Sequence, residues 1–348
     1  MLRAAYDEEL DRLIHCVPLK AEWERPELFL SEFSYGKLRL SGIGLSLETS
    51  AFGQVTASAA GVGSGVVSRA YFELLERLAI SEMIAQSEAA PDYELEGLRW
   101  ESGIPARVPA SEAFPTRQGA TWVLSRSNGV AAQMSFAKAA DSAAFELIER
   151  DRVLRSWYGE FSPEKTETTA DTPWGHLDQI YSVEAYEFGQ ATAGVFAFPK
   201  VPNLPLVFGF GAGKDMRSAV EKAECEALQR LSFLHEEPMP EDFPSLSFNP
   251  MYHLDYYLCR KGIPIVIDWL HGKRVSTVGK AVRMPPAPID YSDVVVANVT
   301  PLWLQGRLSI VKAISPSRLP LVFGVGNPNI DLQDPSVDIN FLGVHPIA

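Results

Sequence analysis

Three short runs place acidic and basic side chains at one spacing: Glu73-Leu-Leu-Glu76-Arg77, Glu146-Leu-Ile-Glu149-Arg150 and Glu226-Ala-Leu-Gln229-Arg230. At about 100° per residue, the first glutamate, the residue three on and the arginine four on share a polar arc about 100° wide on a helix. Apolar residues fill the other directions: Phe72, Leu74 and Leu75 in the first run, Phe145, Leu147 and Ile148 in the second, Cys225, Ala227 and Leu228 in the third. A helix apolar on most sides is largely buried, which turns the polar arc toward an interior cleft. Carboxylates there need cations or hydrogen bonds to offset their burial. Two chemistries meet that need. Each glutamate can pair with its own arginine at i, i+4, an ordinary contact worth about 0.3–0.5 kcal/mol when exposed. Alternatively, carboxylates from several helices hold hard cations while the arginines meet phosphate oxygens.

Each run follows a glycine-containing turn: Gly61-Val-Gly63-Ser64-Gly65, Ser127-Asn128-Gly129 and Gly209-Phe-Gly211-Ala-Gly213. Helix N-termini after such turns would add donors for anions. An octapeptide also recurs, LPLVFGFG at 204–211 and LPLVFGVG at 319–326, each reading as a buried strand running into a glycine turn. Residues 3–15 form an amphipathic helix by pattern, with Ala5, Leu10, Leu13 and Ile14 apolar, and 28–47 alternates as antiparallel strands do. Loops are expected at 101–118, 160–175, 236–250 and 283–291, where proline, acidic and small residues gather. None is a low-complexity linker, so one interwoven domain is expected. Residues 1–54 are an N-terminal helix and strands belonging to the same globular unit as 55–348.

Composition removes other classes. With 44 acidic and 31 basic residues the 348-residue chain carries −13, the wrong sign for a general nucleic-acid binder. No apolar run approaches the roughly 20 residues that cross a bilayer. The opening MLRAAYDEELDRL is no signal peptide either, so the expectation is a cytoplasmic protein with no membrane partner. Cys16, Cys225 and Cys259 are odd in number and far apart, neither a disulfide framework nor a zinc set, and are expected as reduced, buried small hydrophobes. The six histidines are scattered, without HExxH. Gly209 to Asp215 fails as a phosphate loop because Phe208 stands where its first glycine belongs and Asp215 replaces the Ser or Thr. The GxG at Gly61 lacks the acidic residue and βαβ setting of a dinucleotide fold. No GxSxG is present, and Ser64 has no identifiable base.

The SNGVAA run at 127–132, followed by Glu146-x-x-Glu149-Arg150-Asp151, resembles the YcaO family. So do Glu73-x-x-Glu76-Arg77, the later turn with Ala219, Ala223, Glu226 and Gln229, and the terminal His345-Pro346. The resemblance spans roughly residues 55–348 and implies an α+β fold of mixed or antiparallel sheets, with glutamate-bearing helices lining a central nucleotide cleft. It implies ATP and magnesium as cofactors in modifying ribosomally made precursor peptides. A nucleophile attacks a backbone amide, whose oxygen is phosphorylated to become a good leaving group. Azolines, thioamides or amidines result. A separate peptide-recognition protein and a homodimer are the partners the family suggests. Carried over position by position, Glu73, Glu76, Glu146, Glu149, Arg150, Lys222 and Glu226 meet the nucleotide, with Glu76, Glu146, Glu149 and Glu226 on the metal. No catalytic base is assigned.

The chain departs from the family pattern at Arg69, Met134, Lys138, Ser142 and Lys222, where serine, asparagine, glutamate, glutamine or histidine, and arginine are usual. Its end, GVHPIA, lacks the proline-rich tail frequent in azoline-forming members. The family pattern at the matched positions sums to −2, whereas here five glutamates face six cations, leaving +1. Arg69 and Lys222 each precede a glutamate by four residues and are expected to neutralise Glu73 and Glu226. Asp151 and Arg152 read as exposed charges capping the helix. Two readings stand: an ATP-dependent peptide-modifying enzyme with an altered metal site, or a degenerate YcaO-like protein that binds a precursor peptide or partner protein without ATP turnover.

Overall fold

The charged N-terminal run forms α1 (Leu2–Cys16) in the computed structural model of the chain, which describes residues 2–63, 65–90, 92–116, 118–169, 172–272, 291–325 and 343–347. There follow β1 (Glu27–Tyr35), β2 (Leu38–Thr49), β3 (Gly53–Gly61), α2 (Val66–Ala89), β4 (Glu94–Arg99), β5 (Pro105–Pro109) and α3 (Ala110–Ala113). Next come β6 (Trp122–Leu124), β7 (Val130–Gln133), α4 (Phe136–Trp157), β8 (Glu164–Thr166), β9 (Tyr181–Gly189), β10 (Thr192–Pro199) and β11 (Val207–Ala212). The chain continues through α5 (Met216–Leu234), α6 (Pro250–Leu258), α7 (Gly262–Leu270), β12 (Val295–Asn298), β13 (Ser309–Ile314) and β14 (Val322–Gly324). Ser64, Gly326 and the expected loop at 283–290 lie outside the described residues.

Contacts divide the chain into two units built from separated segments. The first comprises Met1–Phe114, Gly129–Ala144 and Tyr291–Ser315; the second comprises Pro115–Asn128, Phe145–Asp290 and Pro316–Ala348. In the first, β1-β2-β3 form one antiparallel sheet and β5-β4-β12-β13-β7 another. Helix α2 supplies the common core with Tyr71, Leu74, Leu75 and Leu78, all fully buried beside Leu10, Ile43 and Ile310. Each such aliphatic side chain contributes about 1.5–3 kcal/mol on burial. On α1, Ala5 is exposed and Tyr6 packs on the core instead, its hydroxyl bonded to Ser41 Oγ at 2.9 Å.

The second unit pairs β11-β10-β9-β8 and β14-β6, again antiparallel. Its core is aromatic: Trp157, Phe188, Phe196, Phe208, Phe210 and Trp269 are buried in one cluster. Trp157 and Trp269 meet edge to face at 5.2 Å, the arrangement that ring quadrupoles favour. Gly209 and Gly211 do not form the expected turn; they lie inside β11. A Cβ at Gly209 would sit 2.4 Å from the Ala223 carbonyl, and one at Gly211 would sit 2.3 Å from that of Ala219. Alternate strand residues and every fourth helix residue are thus both kept small, so that α5 can lie directly on the β11 backbone.

Other expectations change as well. The supposed loop at 101–118 contains β5 and α3, and 160–175 contains β8, because short edge strands leave little periodic signal. Only Cys259 is buried, whereas Cys16 and Cys225 are exposed. Cys225 therefore does not extend the apolar face of α5. Asp151 and Arg152 are each 1% exposed, because α4 runs on past them to Trp157.

Candidate functional site

In all three runs the glutamate pairs with its arginine one helical turn on: Glu73–Arg77 at 2.6 Å, Glu146–Arg150 at 2.7 Å and Glu226–Arg230 at 3.1 Å. The ordinary helical contact is therefore real in each copy. The first and third copies do more. Along α2, Arg69 donates to the Ala60 carbonyl, Glu73 accepts the Ser58 N–H and Arg77 donates to the Thr56 carbonyl. These residues recur every four positions and meet alternate peptide groups of β3, an edge strand that pairs only with β2. Along α5, Lys222 donates to the Ala212 carbonyl, Glu226 accepts the Phe210 N–H at 2.8 Å, and Arg230 stacks over the Phe208 ring at 4.5 Å. The strand closed here, β11, is again an edge.

This ladder corrects the expected neutralisation. Arg69 and Lys222 do not pair with the glutamates four residues on; they hold strand carbonyls, while Arg77 and Arg230 take the carboxylates. Glu76 serves a second edge of the first unit, accepting the Ala132 N–H of β7 at 2.8 Å. Three of the five candidate carboxylates thus complete backbone hydrogen bonds that a free strand edge leaves open. Of the departing positions in that unit, Met134 and Lys138 are exposed and Ser142 is half-buried.

Within the second unit the structure gathers Glu146, Glu149, Arg150, Lys222 and Glu226. Arg150 also donates to Asn128 Oδ1 at 3.2 Å, tying the Ser127-Asn128-Gly129 turn to α4. Lys222 Nζ lies 5.1 Å from the Phe145 ring centroid. Its pKa is lowered by desolvation, against the pull of Glu149. Glu149 is the candidate carboxylate that the fold compensates least. Burial pushes its carboxyl up to about 8; Glu226 and Glu146 push the same way, while Arg150 and Lys222 oppose them. Among the described residues, no N–H or O–H donates to it.

Do these residues fit ATP and magnesium? Among the described residues, no three His, Cys, Asp or Glu side chains converge as a ready-made metal site. Magnesium, however, keeps several waters and is bound through one or two carboxylates plus substrate phosphates. A half-buried carboxyl raised by desolvation and by two neighbouring carboxylates, with two cations facing it, suits that mode and not an all-protein cage. The fit is to a metal that arrives with its own phosphate oxygens.

Sequence reasoning missed three buried polar groups nearby. Asp151 accepts the Leu319 N–H at 2.8 Å and Arg155 Nε at 3.0 Å. Glu224 accepts the Thr169 N–H at 3.0 Å, and its pKa is raised by burial. His253, fully buried, donates from Nδ1 to the His345 carbonyl and accepts the Gly324 N–H on Nε2. A signal existed for the first two. Asp151 shares a helical face with Leu147, Leu154 and Tyr158, and Glu224 shares one with Val220, Ala227 and Leu231.

Fold and site together define an α+β protein in which glutamate-bearing helices close the edges of antiparallel sheets. The family model described as YcaO cyclodehydratase, ATP- and Mg2+-binding, matches residues 94–316, and the chain belongs to the YcaO family. Solved structures share the fold. YcaO from Methanopyrus kandleri, bound with AMPPCP and Mg2+, aligns at 17% identity and TM-score 0.61, over 90% of this chain and 91% of that one. The E. coli microcin synthetase McbBCD complex with pro-MccB17 bound aligns at 11% identity and TM-score 0.62, over 94% and 98%. A heterocyclase in complex with substrate and cofactor aligns at 14% identity and TM-score 0.56, over 90% of this chain and 52% of that one. No curated protein matches the chain in sequence. Among the described residues, no helix is long and apolar enough to cross a membrane.

Proposed function

We propose that the chain is an ATP- and magnesium-dependent YcaO enzyme that activates a backbone amide of a ribosomally made precursor peptide, for cyclodehydration, thioamidation or amidine formation. One observation carries the reading: Glu149, half-buried and without a hydrogen-bond donor among the described residues, has its carboxyl raised by desolvation first and then by Glu226 and Glu146. The fold satisfies Glu73, Glu76 and Glu226 with backbone N–H groups, but it leaves Glu149 at a cost that a divalent cation would relieve.

In this reading Glu76, Glu146, Glu149 and Glu226 hold magnesium, and Glu73, Arg150 and Lys222 join them in contacting ATP. When bound, ATP supplies the phosphoryl group that turns an amide oxygen into a leaving group. Glu149, its carboxyl pushed up to about 8, would hold a bound magnesium as the carboxylate, the form that a nearby cation favours. Arg150, fixed between Glu146 and Asn128, presents a guanidinium whose orientation is set before any phosphate binds. The precursor peptide is the substrate, presented by a separate peptide-recognition protein; the McbBCD microcin synthetase complex, which shares the fold, has pro-MccB17 bound. A homodimer working in the cytoplasm completes the proposal.

A second reading, the degenerate binder, draws on the strand-edge bonds. The hydrogen bonds of Glu73, Glu76 and Glu226 account for these carboxylates without any metal. ATP binding and hydrolysis, measured with and without magnesium and with the candidate peptide, separate the two. ATP that neither binds nor turns over under those conditions removes the enzyme and leaves the binder.

A further inference from the structure

Consecutive residues of α4 reach the two chains of one small ribbon at the same end. Arg150 donates to Asn128, just beyond β6, while Asp151 accepts the Leu319 N–H at 2.8 Å, three residues before β14. There the end of β6 lies beside the start of β14, and the Ser125 N–H donates to the Leu321 carbonyl at 2.8 Å, joining the two chains. Helix and ribbon therefore form a closed frame. α4 cannot turn or slide against the ribbon without breaking one of its two corners.

The Asp151 corner is buried and charge-balanced. Arg155 Nε lies 3.0 Å from both Asp151 oxygens, and Arg155 Nη1 reaches Glu160 at 3.0 and 3.2 Å. Arg155 Nη2 holds the Ser317 carbonyl, and Arg318 Nη1 lies 3.4 Å from Asp151. Asp151, Arg155, Glu160 and Arg318 have side chains at most 4% exposed and sum to zero charge. Burying two ion pairs is a poor way to gain stability, since apolar packing does as well; what such a network secures is register.

We propose that Asp151 is a positioning residue. By fixing α4 against the β6/β14 ribbon it holds Arg150 on Asn128 and so sets Glu146 and Glu149 for the nucleotide. This deepens the function proposed above and rests on it. It is tested by titrating the full chain with Mg·ATP in a calorimeter, wild type against Asp151→Asn, Asp151→Glu and Ser125→Pro. Near-ultraviolet circular dichroism checks each fold. The frame predicts at least tenfold weaker binding in every variant that folds, Asp151→Glu included, because one added methylene displaces Leu319. Ser125→Pro removes the Ser125–Leu321 bond that closes the frame and leaves Asp151, Arg155, Glu160 and Arg318 unaltered, so it decides the matter if the Asp151 variants do not fold. Folded variants that bind within twofold of wild type make Asp151 a stability residue only and overturn the proposal. If wild type itself does not bind Mg·ATP, the proposed function fails, and the frame is read from the Asn128 side-chain amide resonance. A shifted resonance in the folded variants sustains the frame, and an unmoved one removes it.

Discussion

The Glu226 carboxylate accepts the Phe210 N–H at 2.8 Å because Gly209 and Gly211, on either side of Phe210, let α5 lie on the strand without an intervening Cβ. The candidate site thus depends on two missing side chains. Gly209→Ala and Gly211→Ala should each destabilise the protein by about 2–3 kcal/mol and loosen Glu226. Gly175→Ala, with nothing within 4 Å of its new Cβ, should cost less than about 0.5 kcal/mol. Denaturant unfolding measures all three, and equal costs would refute the close-packing account.

Glu149 makes stability depend on pH in a definite direction. Its folded pKa is raised from 4.5 to about 8, so the folded state holds a proton that the unfolded state has released. Its contribution is complete below pH 4.5 and is lost as pH rises toward 8. Glu149→Gln, permanently neutral, should raise the melting temperature at pH 8 and leave it little changed at pH 5. A constant difference across that range would show that the carboxyl is not held neutral.

Glu226 and Glu149 should titrate together. Replacing Glu226 by Gln keeps an acceptor for the Phe210 N–H and removes one of the charges that raise Glu149. The Glu149 midpoint, followed by carboxyl carbon NMR, should move down. An unmoved midpoint would remove Glu226 as a cause and leave burial and Glu146.

His253 and His345 act in the opposite sense. Their rings lie 4.2 Å apart. Burial lowers His253 to about 4; His345 is lowered by burial, then by His253. A depressed base stabilises above the unfolded value of 6.5 and loses that contribution as pH falls toward 4. Melting temperature should drop through that window, and His253→Gln should flatten the drop. An unchanged slope in the variant would place the acid sensitivity elsewhere.

Lys138 tests how far the site has diverged. It is exposed and stands where the family carries a glutamate. Lys138→Glu should tighten magnesium-dependent ATP binding by roughly tenfold, about 1.4 kcal/mol, by exchanging a repelling charge for an attracting one. No gain would mean that another residue supplies the charge.

Much of this was legible in the amino-acid string. Helical spacing found the three glutamate runs, strand alternation found β1 and β2, and the SNG-to-ERD segment identified the family. These are local signals, written in residues close in sequence. What each side chain holds was not local. Lys222 and Arg69 looked like partners of the glutamates four residues on, yet both reach strand carbonyls, because the fold lays each helix along an open strand edge. Asp151 read as an exposed cap and is buried, because its environment comes from residues 155, 160, 318 and 319. The −13 of the whole chain and the +1 of the matched positions are sums over the sequence. Which carboxylates are already satisfied, and that Glu149 is not, was decided only when folding brought strand edges, helices and charges within hydrogen-bonding distance.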